Sequence, residues 1–125
     1  MNKLALVFVF LAACSRPPQT TDDPTIWKKI KIDFNKLDND GLSGPAGGKV
    51  AVNYEFCIPA EARYWQAVQK IDSSAQKHEG SAGRSNCGKS SWLVIGSTHQ
   101  KNHRRVLYDL AALTYVQKIE QTFWE

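Results

Sequence analysis

The sequence has no apolar stretch long enough to cross a membrane. The run Leu4–Ala13 has ten residues, whereas a helix needs about 20 to span the hydrocarbon core. The net charge is also small, because 16 Lys and Arg residues against 12 Asp and Glu residues give +4. This excess is small and scattered, which argues against a nucleic-acid partner, since such partners favour a concentrated basic face.

Cysteine is scarce, and each of the three cysteines carries information. Cys14 ends the motif Leu11-Ala12-Ala13-Cys14, which follows a short basic start and the apolar run. This arrangement resembles the lipobox of bacterial lipoproteins. The resemblance implies a signal peptide over 1–13, cleavage before Cys14, and lipid on its sulfur and new amine. Three acyl chains would anchor the protein stably. The alternative is a plain secretory signal with an incidental cysteine.

Lipidation would place the protein in the cell envelope. Ser15 follows the cysteine, and in lipoproteins of diderm bacteria a residue other than Asp at this position implies the outer membrane, facing the periplasm. Residues 14–25 are polar and contain three prolines, which predicts a lipidated tether. Residues 26–125 then suffice for a single domain, with its core in 49–125.

Cys57 and Cys87 remain as an even pair outside the cytoplasm, which predicts a disulfide. Two separate buried thiols are the alternative. The bridge would close a loop of about 30 residues, for which the chain-entropy account gives roughly 3–4 kcal/mol of stabilisation.

Hydrophobic periodicity predicts an α+β fold. Alternating apolar and polar residues or, at 91–96, a short apolar run indicate strands, and apolar residues at spacings of three and four indicate helices. The predicted strands are 49–58, 72–77, 91–96 and 116–124, and the predicted helices are 60–71 and 106–113. This β-α-β-β-α-β order is that of a ferredoxin-like two-layer sandwich. Ile26–Phe34 would add an N-terminal edge strand. Because the first and third strands are antiparallel neighbours in this topology, Cys57 and Cys87 would lie close together.

Two sequence patterns resemble ligand-binding motifs, but their predicted structural context does not favour binding. Gly83–Ser90 matches the phosphate-binding P-loop, yet that loop needs a following helix and Ser91–Gly96 reads as a strand. We therefore expect no nucleotide. His99 and His103 have helical zinc spacing, but His99 should precede the helix and a third ligand is lacking.

The Asx-rich stretch around Asp38 and Asp40 has the oxygen groups that calcium prefers. The EF-hand register fails, because Gly47 falls where the bidentate glutamate belongs. An Asx-rich turn is the preferred interpretation, and a calcium site of another kind stays open. No cofactor is indicated.

Basic residues cluster at the start of the second helix, where cations oppose the helix dipole. Local stability does not explain them, so they are candidates for contact with an anionic partner or a lipid headgroup. The candidate contact residues are Arg84, Lys101, His103, Arg104 and Arg105. No catalytic set can be assembled, which inclines the prediction away from an enzyme without excluding one.

The segments YEFCIPA, GSAGRSNC, WLVIGSTHQ and LAALTYV resemble those of a family of small uncharacterised bacterial proteins, some of them lipoproteins, over roughly 37–125. The resemblance implies one domain but no activity. The leading hypothesis is a membrane-anchored binding module with a protein partner in the envelope. The first alternative is a small-ligand binder or enzyme with a polar pocket near Gly80–Arg84 and His99–Arg105. The second is an inhibitor or immunity protein that presents Asn35–Gly48.

Overall fold

The computed structural model describes residues 22–123. The predicted signal peptide, Cys14 and most of the predicted tether lie outside these residues, as do the last two positions of the chain. Pro24 and Thr25, which the sequence prediction assigns to the tether, begin a short helix instead.

The fold is mixed α+β, with a five-stranded sheet, a two-stranded sheet and three helices in the described part. The strands are β1 (Ile30–Lys31), β2 (Leu42–Ser43), β3 (Val50–Ala51), β4 (Asn53–Pro59), β5 (Gln76–His78), β6 (Ser91–Ser97) and β7 (Ile119–Gln121). The helices are α1 (Pro24–Trp27), α2 (Ala62–Ile71) and α3 (His103–Ala112), and Phe34–Lys36 forms a 3-10 turn.

The larger sheet has the strand order β1-β7-β4-β6-β5. β4 pairs with β6 along its whole length, and the β7–β4 and β6–β5 pairs are also antiparallel. β1 pairs with β7 in parallel at the sheet edge. β2 and β3 form a separate antiparallel hairpin.

The main core lies between the sheet and the two longer helices. Phe56 of β4 stands opposite Val94 of β6, and both pack with Val68 of α2 and with Leu107 and Leu110 of α3. These side chains are fully buried. The alternation of β4 and the three-four spacing of the helices, both visible in the sequence, bring these residues to one layer.

The opposite face of the sheet is covered by the connection between β5 and β6. The Cys57–Cys87 disulfide ties this connection to β4, with the two Cα atoms 5.5 Å apart, which confirms the predicted pairing. Gly83 lies so close to the sheet that an added Cβ would stand 2.5 Å from the Glu55 carboxylate. The loop is therefore packed against the sheet.

The predicted strand at Ile26–Phe34 is wrong over most of its length, since only Ile30 and Lys31 form a strand. Asp23 accepts the N–H of Thr25 and starts α1, and the ring of Trp27 packs on Tyr108 of α3. Capping and this tertiary contact override the alternating pattern. The predicted edge position of the segment is confirmed.

Two other predicted strands are shorter than expected. The segment 72–77 begins with a turn in which Asp72 accepts the N–H of Ser74, so β5 starts at Gln76. The last strand ends at Gln121, before Phe123, whose side chain is exposed. Among the described residues, no helix has the length and apolar character needed to cross a membrane.

Candidate functional site

One end of the domain is built from the turn after the 3-10 helix and from the connection that leads into α3. In the turn, Asp38 accepts the backbone N–H groups of Asp40 and Leu42 and the ammonium group of Lys49, at 2.7–3.0 Å. The hydrogen bond from Lys49 lowers the pKa of Asp38 to about 2, and the hydrogen bond from the N–H of Leu42 is the second-largest cause of this shift. The segment is therefore an Asx turn, and both carboxylate oxygens of Asp38 accept hydrogen bonds from other groups of the protein.

The turn is docked on the connection between β6 and α3. The hydroxyl of Thr98 donates to the carbonyl of Gly41 at 2.7 Å, and Nδ1 of His99 lies 3.0 Å from the carbonyl oxygen of Asp40. Gly41 has a φ of +75°, and a Cβ there would stand 1.8 Å from the Thr98 carbonyl oxygen. This close approach therefore requires glycine.

α3 begins without a side-chain cap. Asn102 adopts a left-handed conformation, and its side chain makes no capping hydrogen bond. Within the described residues, the backbone N–H groups of His103, Arg104 and Arg105 donate to no acceptor. Three donors and the positive end of the helix dipole thus point out of the first turn.

His103 is 6% exposed, yet its ring nitrogens have no hydrogen-bond partner among residues 22–123. Burial, and secondarily the charge of Arg104, lowers the pKa of His103, while the charge of Asp38 opposes the shift. The ring is therefore neutral near pH 7, with one nitrogen able to donate and the other able to accept.

The two arginines of the first turn of α3 have different surroundings. Arg105 is paired with Asp22 at 3.1 Å and with Asp109 at 3.2 Å. Arg104 has no carboxylate partner in the described part of the chain, and its guanidinium lies 4.6 Å from the centre of the Phe34 ring. Arg104 is thus the cation of this turn whose charge is not neutralised.

Two adjoining clefts open at this end of the domain. The first, here the α3 cleft, has a volume of about 320 Å³ and is lined by Leu37, Asp38, Asn39, Asn102, His103, Arg104 and Arg105. The second, here the polar cleft, has about 430 Å³ and is lined by Asn39, Asp40, His99, Gln100, Lys101 and Asn102. Asn39 and Asn102 line both, so the two clefts adjoin at these residues.

The five predicted contact residues separate into groups. His103, Arg104 and Arg105 share the α3 cleft, and Lys101 lines the polar cleft. Arg84 belongs to the loop over the other sheet face, where its guanidinium lies 4.9 Å from the centre of the Phe123 ring.

Sequence reasoning missed the contribution of Asn39 and Asn102 to both clefts. The Asx-rich composition around position 39 and the polar connection before α3 were available signals. Nothing in the sequence indicates that these two segments meet in space, because they are about 60 residues apart along the chain.

A buried polar network supports the floor of the polar cleft. The amide of Gln100 donates to the carbonyl of Ser97 at 2.7 Å and to Asp72 at 3.1 Å, and Asp72 also accepts the hydroxyl of Tyr54. Burial raises the pKa of Tyr54 far above its usual range, and the negative charge of Asp72 is the second-largest cause of this shift. The network fixes the segment that leads into α3.

A third cleft, of about 410 Å³, lies beside the disulfide and includes Ser85 and Lys118 in its lining. The Ser85 hydroxyl donates to Glu120 at 3.0 Å. Burial raises the pKa of Glu120, but hydrogen bonds from Lys118 and Ser85 outweigh it and leave a net lowering. A carboxylate so stabilised is a poor base, so this pair does not favour a serine nucleophile.

The P-loop match at Gly83–Ser90 is followed by β6 and not by a helix, as the sequence predicts. The N–H of Ser85, inside the motif, donates to the carboxylate of Glu55 at 2.7 Å, which is an arrangement that repels phosphate. Gly80 lines a cleft with neighbouring loop residues, and this cleft has no lining residue in common with the two clefts at α3.

His99 precedes α3 and contacts Asp40, whereas His103 is the first residue of the helix, so the pair does not share a helical face. Across the described residues, no group of three or more His, Cys, Asp or Glu side chains could hold a metal ion.

Comparisons of the chain with protein-family models, with curated proteins and with solved structures gave no match. The functional argument therefore rests on the geometry of the clefts.

Proposed function

We propose that this chain is a lipid-anchored protein of the bacterial cell envelope, whose domain is a binding module that makes contact through the α3 cleft and the polar cleft. The lipobox-like motif ending at Cys14 supports the anchor. The Cys57–Cys87 bridge supports an oxidising compartment, because disulfides persist outside the cytoplasm.

We also propose that the domain is ferredoxin-like. The strand order β7-β4-β6-β5, with each neighbouring pair antiparallel, supports this topology. α2 connects β4 to β5 and α3 connects β6 to β7, in agreement with a split β-α-β arrangement. β1 would then be an addition to one edge.

The observation that carries the binding role is the meeting of two adjoining clefts at a helix start with an unneutralised cation. Arg104 and Lys101 provide positive charge, and Asn39 and Asn102 provide amides that both donate and accept hydrogen bonds. Convergent polar groups in a concave surface are the usual property of a ligand or partner site.

The proposal is tested in two steps on protein expressed from the full sequence. Intact mass should give residues 14–125 plus acyl chains, and Cys14→Ser should remove the lipid and release the protein from membranes. A photo-crosslinking amino acid placed at Lys101 should then give an adduct in the envelope, whereas the same group at Lys70, exposed on α2, should not. An unlipidated product, or equal crosslinking at both positions, would contradict the proposal.

One observation favours a second candidate, an inhibitor or immunity protein. Asn35–Gly48 contains β2 and leads to its hairpin partner β3, on which Val50 is 63% exposed, and the Asp38–Lys49 ion pair stiffens this region. An exposed apolar residue on a stiff hairpin suits insertion into a partner. Crosslinking from Val50, with none from Lys101, would favour this candidate over the first.

A further inference from the structure

We propose that the α3 cleft binds a phosphate group, held by the first-turn N–H groups of α3 and by the guanidinium of Arg104. This inference rests on the proposed function and deepens it, because it names the chemical class of ligand for the same clefts. The ligand would be a phosphate ester whose organic part enters the polar cleft.

The backbone supplies the first component. α3 is ten residues long, so its aligned peptide dipoles place a partial positive charge at the first turn. The N–H groups of His103, Arg104 and Arg105 have no acceptor within residues 22–123. Free helix N–H groups of this kind suit the oxygens of a phosphate.

His103 supplies an independent indication of a ligand. His103 is among the residues that line the α3 cleft, it is 94% buried, and its ring nitrogens have no hydrogen-bond partner among the described residues. A buried polar group without a hydrogen-bond partner destabilises the fold, because it has lost its contact with water and gained nothing in return. A phosphate oxygen in the cleft would accept from the ring and remove this penalty.

The charges at the cleft favour an anion. The carboxylate of Asp38 is the acidic group in the lining, and it is already matched by Lys49 at 2.7 Å and by two backbone N–H groups. Arg105 is matched by Asp22 and Asp109. The charge of Arg104 therefore remains: its guanidinium lies 4.6 Å from the centre of the Phe34 ring, and its N–H groups have no acceptor among residues 22–123.

The size and lining of the clefts indicate an ester and not free phosphate alone. The α3 cleft of about 320 Å³ adjoins the polar cleft of about 430 Å³ at Asn39 and Asn102. All residues that line the polar cleft are polar or charged. A hydroxyl-bearing group fits such a lining, whereas an acyl chain does not. The phosphate could belong to a soluble monoester or to the headgroup of a lipid.

The experiment follows the amide resonances of the full chain in detergent during titration with inorganic phosphate and with glycerol 3-phosphate. We expect saturable shifts at the amides of residues 103–105, and tighter binding of the ester. Arg104→Gln should weaken binding roughly tenfold, because a charge-assisted contact is lost.

Arg63→Gln is the matched control. Arg63 is the second residue of α2 as Arg104 is of α3, and its guanidinium also lies 4.6 Å from the centre of an aromatic ring, that of Tyr64. Its loss should leave phosphate affinity unchanged. His103→Gln, which keeps a donor and an acceptor at the cleft, should retain more affinity than His103→Leu.

Vesicles of phosphatidylglycerol form the second arm. If vesicles displace glycerol 3-phosphate from the wild type but not from Arg104→Gln, the result would support the site and assign its phosphate to a lipid headgroup. Tight binding of the soluble ester without competition from vesicles would support the site and assign a soluble ligand.

Shifts that never saturate, or an equal response in Arg104→Gln and Arg63→Gln, would overturn the phosphate site. This result would leave the binding module standing if crosslinking from Lys101 succeeds, so the two failures are distinguishable.

Discussion

The carboxylate of Glu55 accepts a hydrogen bond from the backbone N–H of Ser85, 30 residues further along the chain, at 2.7 Å. Its second oxygen accepts the hydroxyl of Thr122 at 3.0 Å. Glu55 is 1% exposed. A single buried carboxylate thus joins the central strand β4, the loop over the sheet and the end of the last strand.

Removing this carboxylate should destabilise the domain markedly. We expect Glu55→Ala to lower the free energy of unfolding by about 2–3 kcal/mol, because the buried hydroxyl of Thr122 and the part-buried N–H of Ser85 lose their acceptor. Urea denaturation of the wild type and the variant gives the value. Glu79→Ala is the control, since Glu79 pairs with Lys77 at the surface, and it should change stability by less than about 1 kcal/mol. Equal effects of the two variants would contradict the assigned role.

The disulfide should contribute a large part of the stability. It joins residues 30 positions apart, so the Cys57→Ala/Cys87→Ala double variant should lose about 3–4 kcal/mol. Denaturant unfolding with and without reductant measures this directly. Reductant should destabilise the wild type and leave the double variant unaffected. A wild type indifferent to reductant would show that the bridge is absent or energetically neutral.

Gly96→Ala should be among the most damaging small substitutions. A Cβ at this position of β6 would stand 2.6 Å from the ring of Tyr54. The ring cannot move easily, because it is fully buried and its hydroxyl is bonded to Asp72. We expect a loss of roughly 2–3 kcal/mol from overpacking. Thermal unfolding of both variants tests this, and Gly88→Ala, where an added Cβ meets nothing within 4 Å, should be nearly neutral.

The turn at Asp38 should weaken in acid. The pKa of Asp38 is lowered to about 2 from an ordinary value of 3.8, chiefly by Lys49. Because the folded form binds the proton less readily, its stabilising effect is complete above pH 3.8 and is lost as the pH falls towards 2. NMR titration of the carboxyl group should find this low pKa, and Lys49→Gln should raise it. An unchanged pKa in that variant would rule out the ion pair as its cause.

The central elements of the fold could be predicted because local pattern and tertiary packing agree there. Phe56 lies on a strand that alternates strictly, Val94 lies on a short apolar run typical of a central strand, and Val68 and Leu107 lie on helices with three-four spacing. At Ile26–Phe34, local pattern and tertiary packing disagreed. Alternation suggested a strand, whereas the Asp23 cap and the Trp27–Tyr108 contact, which need knowledge of the fold, determined a helix.

The candidate site was predictable in its charges but not in its shape. Arg104 and Arg105 could be recognised as misplaced for helix stability, and this pointed to the start of α3. Which of them keeps a free charge depends on Asp22 and Asp109, of which Asp22 is remote in sequence. The burial of His103 depends on how the turn at Gly41 docks, and composition does not specify that docking.

If Cys14 carries the proposed lipid, the contact between Asp22 and Arg105 also limits how far the clefts can stand from a bilayer. Arg105 lines the α3 cleft, so the described chain starts beside that cleft. With lipid on Cys14, the eight residues to Asp22 could extend at most about 28 Å. The cleft would then sample a shell close to the lipid surface, where the local concentration of headgroup phosphates is high and even a weak site would be substantially occupied.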